Sequence, residues 1–388
     1  MELGLSDEYE AYRAEVRDFV RQNWKPTTDA AAIKAFRLAA IDKGYLYRNV
    51  PKRFGGSEQP ADVLKAKVIR EEFTSVRAPL EVGGISTDML VPTLLEKGEE
   101  WQKELFVPKT IAGEYLWAQG YSEPGSGSDL ASLRTRAELV GDEWVINGQK
   151  IWTTRAHLAD YMFLLVRTEP DAPTKHEGIS YLLLDLKQPG VEIRPLKQMT
   201  GGTGFSEVFF TNARTPGNWI VGKRGEGWLV SKSTLKHERN MMGGADKYTT
   251  MFSKLVHMAR KVQRNGRPAI EDPDMRQRLA RVEGYILSHQ YSSARQLTKT
   301  IYQKEPGIVG MMNKLVTTNI GHDIARIAQD LMGDDGLLMP GFAGSRGNEK
   351  WVEHFMGSLG VAIAGGTSNI QRNIIAERGL GLPREEER

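Results

Sequence analysis

The chain has 388 residues, with 52 Lys and Arg against 49 Asp and Glu, a formal net charge of +3, and no cysteine. That length fits two or three domains around sizeable cores. Near-balanced charge gives no electrostatic case for nucleic acid, and the absence of Cys removes disulfides, thiolate metal sites and cysteine nucleophiles together. No stretch approaches the roughly 18 apolar residues of a membrane span, and Met1 to Glu8 carries neither a basic leader nor an apolar core. The expectation is a soluble, cytoplasmic protein with no nucleic-acid or membrane partner.

From Ser6 to about Gly113 the periodicity is helical. Ser6 is placed to cap a helix whose apolar stripe reads Tyr9, Tyr12, Val16, Phe19 and Val20, with Pro26 beyond its end. Further helical runs begin near Asp29 and Ala61, and another covers Glu99 to Phe106 before Pro108. The period then changes. Leu133 to Val140 and Glu143 to Ile146 read as strands joined by Gly141-Asp142, and Asn147-Gly148 reads as a tight hairpin turn. Runs at Tyr161–Thr168, Ile179–Leu186, Val191–Leu196 and Glu207–Phe210 continue at a spacing that fits a β barrel or sandwich.

After Gly225 the helical period returns. Trp228–Met242, Tyr248–Arg264, Pro273–Thr300 and Ile308–Met332 each run several turns, which predicts a bundle of four long antiparallel helices. The expected organisation is α+β: a helical domain over 1–113, a β domain over 114–224 and a helical bundle over 225–388.

Several motifs fail on inspection. Gly217 to Lys223 matches GxxxxGK, but Arg224 stands where a phosphate loop needs Ser or Thr for magnesium. His237-Glu238 begins a zinc-protease motif, yet position 241 is Met. There is no GxSxG elbow and no GxGxxG leading from a strand into a helix. The seven histidines are scattered and predict no metal site.

Two segments remain. In Ser122-Glu123-Pro124-Gly125-Ser126-Gly127-Ser128-Asp129 the proline fixes one backbone angle, while the glycines permit close approach to a ligand. Taken alone, it fits an ordinary barrel turn capped by Asp129 equally well. Trp152-Thr153-Thr154 offers an indole that can stack on an aromatic cofactor and hydroxyls that can donate to it, although a Trp in a β domain is more often core.

In order along the chain, Ser-Glu-Pro-Gly-x-Gly-Ser-Asp, then Asn147-Gly148-x-Lys150-x-Trp152-x-Thr154, then Gly365-Gly366-Thr367-Ser368-Asn369-Ile370-Gln371-Arg372, the chain resembles the acyl-CoA dehydrogenases. Met199-Thr200-Gly201 and Phe205 to Phe210 extend the resemblance. It is weakest before Gly113 and over Val262–Asp272. It implies a helical domain, a β domain and a four-helix bundle, with FAD bound non-covalently in a homotetramer or a heterotetramer with a homologue. By the same resemblance Ser122 and Thr154 hydrogen-bond the isoalloxazine, Trp152 packs on it with Thr153 alongside, and Ser128 reaches the CoA arm. Gln329, Gly333, Thr367 and Asn369 fall at positions that meet the FAD pyrophosphate and adenosine.

Two departures stand out: Ser122 replaces the commoner Thr, and the Arg-x-x-Phe-Gly clamp is absent. Arg264-Asn265-Gly266-Arg267-Pro268 stands in its region, which makes Arg267 the candidate for the phosphate contact.

The implied reaction is α,β-dehydrogenation of an acyl-CoA, with electrons passed to an electron-transfer flavoprotein. Many family members carry the base directly before the Gly-Thr of the C-terminal motif, where this chain has Gly365. A second group, the isovaleryl- and long-chain-type enzymes, supplies a Glu directly before an Arg on a bundle helix. Glu238-Arg239 matches that pattern, with Arg239 beside the substrate. Gly365 keeps a part through its loop, whose backbone N–H can polarise the thioester carbonyl. The same scaffold also serves oxidases, desulfinases and weakly active partner subunits, and the acyl group itself is not legible in the sequence.

Overall fold

The computed structural model describes residues 6–242, 244, 247–302, 307–339 and 349–383, without the side chains of 239–242, 300, 301 and 349. The chain divides into two compact units, one of Met1–Pro195 with Phe205–His237 and one of Leu196–Gly204 with Glu238–Arg388.

The first unit opens with five helices: α1 (Asp7–Asn23), α2 (Ala30–Asp42), α3 (Val63–Ser75), α4 (Val91–Lys97) and α5 (Glu100–Ile111). Asp29 and Asp62 cap α2 and α3, each accepting two backbone N–H groups at 2.9–3.3 Å. Ser6 does occupy the N-cap of α1, but its side chain makes no capping bond. Asp7, Glu8 and Glu10 fill that first turn instead and complement its dipole. Pro108 does not end α5, which runs on to Ile111. Buried Phe106, Val107 and Ile111 lie either side of the proline, so packing holds the last turn despite the lost hydrogen bond. Val16, Phe19 and Val20 of the predicted stripe are buried, and Phe19 meets Tyr45 edge-on at 5.0 Å.

The β part contains β1 (Trp117–Gly120), β2 (Arg136–Val140), β3 (Glu143–Thr154), β4 (Tyr161–Arg167), β5 (Ile179–Asp185), β6 (Val191–Leu196) and β7 (Phe205–Pro216). They form one curled seven-stranded sheet in the order β1-β4-β2-β3-β7-β6, with β5 paired to β4. Asn147-Gly148 is not a hairpin turn, because β3 continues through it to Thr154 along β7. The Asn147 amide binds Asn212 on β7 at 3.1 and 2.9 Å. A Cβ on Gly148 would come within 2.6 Å of Thr135 Oγ1, so the glycine serves close packing. The distortion its sequence signals is a register shift between Ile146 and Gly148.

Helix α6 (Gly227–Met242) leads along the chain from the first unit's residues to Glu238, where the second unit's main segment begins. The second unit continues with α7 (Thr249–Lys261), the ribbon β8 (Gln263–Arg264) and β9 (Arg267–Pro268), then α8 (Pro273–Ile301), α9 (Ile308–Met332), α10 (Glu349–Val361) and α11 (Ser368–Ile374). Helices α7, α8 and α10 pack on α9, so α10 takes a bundle place that the sequence reading gives to the Trp228–Met242 run. Leu255, Met275, Ile286, Ile324 and Ala328 form the core. Helix α7 stops at Lys261, short of the predicted Arg264, because Asn265 and Gly266 take positive φ of 53° and 76° and turn the ribbon.

Candidate active site

In the first unit, the Ser122 loop and the end of β3 lie side by side. Ile151 N–H donates to Ser122 O at 2.9 Å, and Glu123 and Ser126 exchange both backbone bonds. Beyond Ile151, a second register shift separates Lys150 from Thr153 in the pairing of β3 with β7. Trp152 sits at that bulge with φ of 60°, a conformation that costs a bulky residue on the order of 1–3 kcal/mol. The bulge turns the indole out of the sheet: Trp152 is 58% exposed, touching Phe205 edge-on at 5.9 Å. Strain is thus spent on presenting a large flat apolar ring, the arrangement a flat aromatic cofactor needs.

Ser122 and Thr154 are half-buried on the two segments beside it, and Ser128 is exposed at the loop tip. Thr153 points the other way. Its buried hydroxyl donates to Ser206 O at 2.6 Å, which leaves its backbone as the group able to meet a cofactor. Asp129 caps nothing; its carboxylate holds Lys175 at 2.8 Å.

In the second unit, Glu238 is half-buried on α6. Lys314 on α9 is buried and donates to Gly366 O at 2.8 Å. Burial pushes its ammonium below the usual lysine range, while the charge of Glu238 acts in the opposite direction. Gln371 Nε2 donates to Gly365 O at 3.2 Å. Both carbonyls of the Gly365–Gly366 turn are therefore held from behind, and trans peptide geometry aims the following N–H groups of Gly366 and Thr367 the other way. Positive φ at both positions favours glycine. The φ values are 62° and 87°, and a Cβ on Gly366 would meet Gln371 Nε2 at 2.6 Å. Thr367 caps α11 by accepting from Ile370 N–H at 3.2 Å, and Asn369 accepts from Arg372 at 3.1 Å. The Arg239 side chain lies outside the described residues.

Gln329 and Gly333, at the end of α9, line a cleft of about 510 Å³ with Arg278, Arg326, Asp330 and Phe355. Gln329 Nε2 donates to Gly336 O, while its buried Oε1 has no hydrogen-bond partner among the described residues. Arg326, Gln329 and Gly333 follow at helical spacing along one face. Arg267 is exposed on the ribbon and is not among the residues lining this cleft. Arg264 and Arg278 instead converge on Asp330 at 3.1 and 2.6 Å.

Profiles of three acyl-CoA dehydrogenase domains match in order: the N-terminal domain over residues 6–114, the middle domain over 118–213 and the C-terminal domain over 225–380. The chain belongs to the acyl-CoA dehydrogenase family. The acyl-CoA dehydrogenase IpdE1 of Mycobacterium tuberculosis is 42% identical, across 81% of this chain and 79% of that one. IpdE1 of Mycolicibacterium smegmatis is 38% identical across 97% and 99%. Among solved structures, the ChsE4-ChsE5 complex of M. tuberculosis aligns over 99% of this chain and 100% of that one, with a TM-score of 0.79 at 26% identity. The Tcur3481-Tcur3483 steroid ACAD covers the same shares, with a TM-score of 0.78 at 27% identity.

This acyl-CoA dehydrogenase is accordingly an oxidoreductase acting on acyl-CoA, with FAD as its cofactor. The residues present fit that group: in the first unit an everted indole with flanking hydroxyls, and in the second a cleft with two arginines and an amide oxygen that is unpartnered among the described residues. The sequence reading passed over Lys314, Arg278 and Arg326. Arg326 could have been found from its spacing to Gln329 on α9, whereas Arg278 on α8 and Lys314 become visible only once the helices and the Gly366 turn are placed.

Proposed function

We propose that this chain removes the α proton of a ring-bearing, steroid-derived acyl-CoA with Glu238, the electrons passing to an electron-transfer flavoprotein. The observation that carries this reading is the glycine turn at 365–366, which offers backbone donors but no carboxylate, with Glu238 acting electrostatically on the lysine that holds the turn. FAD, when bound, supplies the acceptor for the β hydride. Ser122, Thr154 and the Trp152 indole hold and orient the ring system, with the Thr153 backbone beside them and Ser128 toward the CoA arm. The N–H groups that follow Gly365 and Gly366 donate to the thioester oxygen and so acidify the α C–H.

Glu238 then accepts that proton. A free glutamate, with pKa about 4.3, becomes an effective base when the acyl chain desolvates it. A helix-borne base leaves the space beside the α carbon that a glutamate at 365 would fill, which suits a branched or cyclic acyl group. The steroid ACAD among the structural relatives supports that class. Arg278, Arg326, Gln329 and Gly333 suit an anionic pyrophosphate, with Thr367 and Asn369 toward the adenosine and Arg267 peripheral to it.

A mixed tetramer with a homologue is the assembly we favour, because two of the structural relatives pair two differently named chains. Exposed Tyr285, Leu287 and Tyr291 on α8 supply apolar surface for it. The missing Arg-x-x-Phe-Gly clamp also favours a second reading, a weakly active partner that completes a homologue's FAD site.

Anaerobic titration of the flavin-loaded chain, alone and mixed with the homologue, against straight, branched, aromatic and steroid-derived acyl-CoAs tests both. Bleaching by ring-bearing thioesters that disappears in Glu238→Gln is expected. Bleaching of the mixture that survives Glu238→Gln in this chain would assign the chemistry to the partner.

A further inference from the structure

Lys150 is fully buried, at 0% exposure, on β3, two residues before the everted Trp152. Its ammonium donates to Tyr121 O at 3.0 Å and to Glu123 Oε1 at 2.8 Å. Glu123 is itself buried and accepts two backbone N–H groups, from Arg134 at 2.6 Å and Thr135 at 2.9 Å. The residues bracketing Ser122, namely Tyr121 and Glu123, are thus both tied to one atom of β3, while Ser122 O takes the Ile151 N–H. Arg167 on β4 completes the arrangement by donating to Ala131 O at 2.6 Å and Leu133 O at 3.3 Å, just past the same loop.

A buried ion pair is a weak source of stability, since apolar residues of similar volume commonly do as well. What such a pair does supply is register, because a slipped loop would leave a charge unpaired in a low-dielectric interior. Here the register concerned is that of the Ser122 loop against Trp152 and Thr154. We propose that the Lys150–Glu123 pair is a positioning element, which locks the Ser122 hydroxyl and the Trp152 indole into one geometry around the cofactor's ring system.

Burial presses Lys150 down to about 8, with Glu123 opposing and Arg167 reinforcing the shift. Burial also acts to raise Glu123, but the Lys150 charge and the hydrogen bonds outweigh it, and the carboxyl sits below its usual range. Each partner thus favours the charged form of the other against the burial they share. This inference rests on the reading that these two segments face the flavin, and the test separates the two.

The double variant Lys150→Met/Glu123→Gln removes the charges together and leaves neither one orphaned. It is expected to keep its far-UV circular dichroism, bind FAD more weakly and show a shifted flavin band. Its rate of reduction by acyl-CoA should fall by about 10²-fold, as for an angstrom-scale misplacement, with KM little changed. A purely structural pair would leave the flavin band and the split between kcat and KM as in wild type, and that result overturns the proposal. Trp152→Ala is the control: if it leaves the flavin spectrum unchanged, the flavin-facing reading fails irrespective of Lys150. If Trp152→Ala shifts the spectrum and the double variant does not, the positioning role alone fails. Should the double variant not fold, Lys150→Met/Glu123→Leu replaces it. Amide exchange of Ile151 and Ser126 in the wild type then gives a third reading, since exchange as fast as in an exposed loop refutes a locked register.

Discussion

On the proposed reading, the two halves of the catalytic machinery, one in each unit, work by opposite means. At the end of β3 the working group is a side chain, and the backbone is distorted to present it: Trp152 accepts φ of 60° and a bulge so that its indole leaves the sheet. At Gly365–Gly366 the proposed groups are backbone N–H donors, and glycine at both positions suits the positive φ of the turn. Each half also has a buried lysine behind it, Lys150 in one and Lys314 in the other, and each ammonium binds a backbone carbonyl. Where a site needs a fixed backbone but cannot spare the exposed surface for it, cationic side chains hold it from inside.

Breaking the side-chain contribution of the second half should have the largest effect. Glu238→Gln keeps size and loses basicity, so reduction by acyl-CoA is expected to fall by about 10²–10⁴-fold in stopped-flow traces, with the fold intact. Glu238→Gly with Gly365→Glu should recover a measurable part for small acyl groups and less for bulky ones, because the relocated carboxylate fills the space beside the α carbon. A wild-type rate in Glu238→Gln would send the search to another carboxylate.

Gly366→Ala tests the backbone contribution next. Its Cβ meets Gln371 and its φ of 87° suits no L residue. The displaced donors should cost about 10²-fold in kcat, within the range for losing one oxyanion donor, with Glu238 untouched. Trp152→Ala should have a smaller effect, about 1 kcal/mol of FAD affinity from the lost aromatic contact, read by flavin titration of the apoprotein. Alanine keeps the Cβ that strains a φ of 60°, so no gain in thermal stability is expected in return.

The smallest expected effect lies away from both halves. Hydrogen bonds from Arg17 and Arg13 outweigh burial and hold Glu72 below the usual carboxylate range. Its stabilisation is therefore complete above the unfolded value of about 4.3 and is lost as pH falls through the lower folded value. Glu72→Gln should lower stability in urea at pH 7 and flatten the acid limb, while flavin reduction stays unchanged.

Much of the proposed site is legible in the sequence because the residues assigned to ligands are local in the chain. Ser122 to Asp129, Trp152 to Thr154 and Gly365 to Gln371 are short runs whose chemistry shows in their order. What could not be read is what holds them. Lys150 stands in a quoted motif, yet its partner Glu123 lies 27 residues away, and Lys314 reaches Gly366 across 52. Local propensity misled where packing decided: Pro108 sits inside a helix and Ser6 leaves its capping bond unmade, while Asp29 and Asp62 cap as their types predict.

The chain has two Asn-Gly pairs, and the fold treats them oppositely. Asn147-Gly148 is paired within β3, its amide engaged by Asn212, whereas Asn265-Gly266 turns an exposed ribbon. Succinimide formation needs the glycine nitrogen to swing onto the asparagine amide carbon, and a sheet forbids that movement where a free turn permits it. Chemical ageing should therefore begin at Asn265. Conversion to aspartate or isoaspartate there takes the formal charge from +3 to +2, beside Arg264 and the acidic Asp330 it binds. Isoelectric focusing of stored protein with peptide mapping would show the acidic form arising from that hairpin, well before the same dipeptide in the strand.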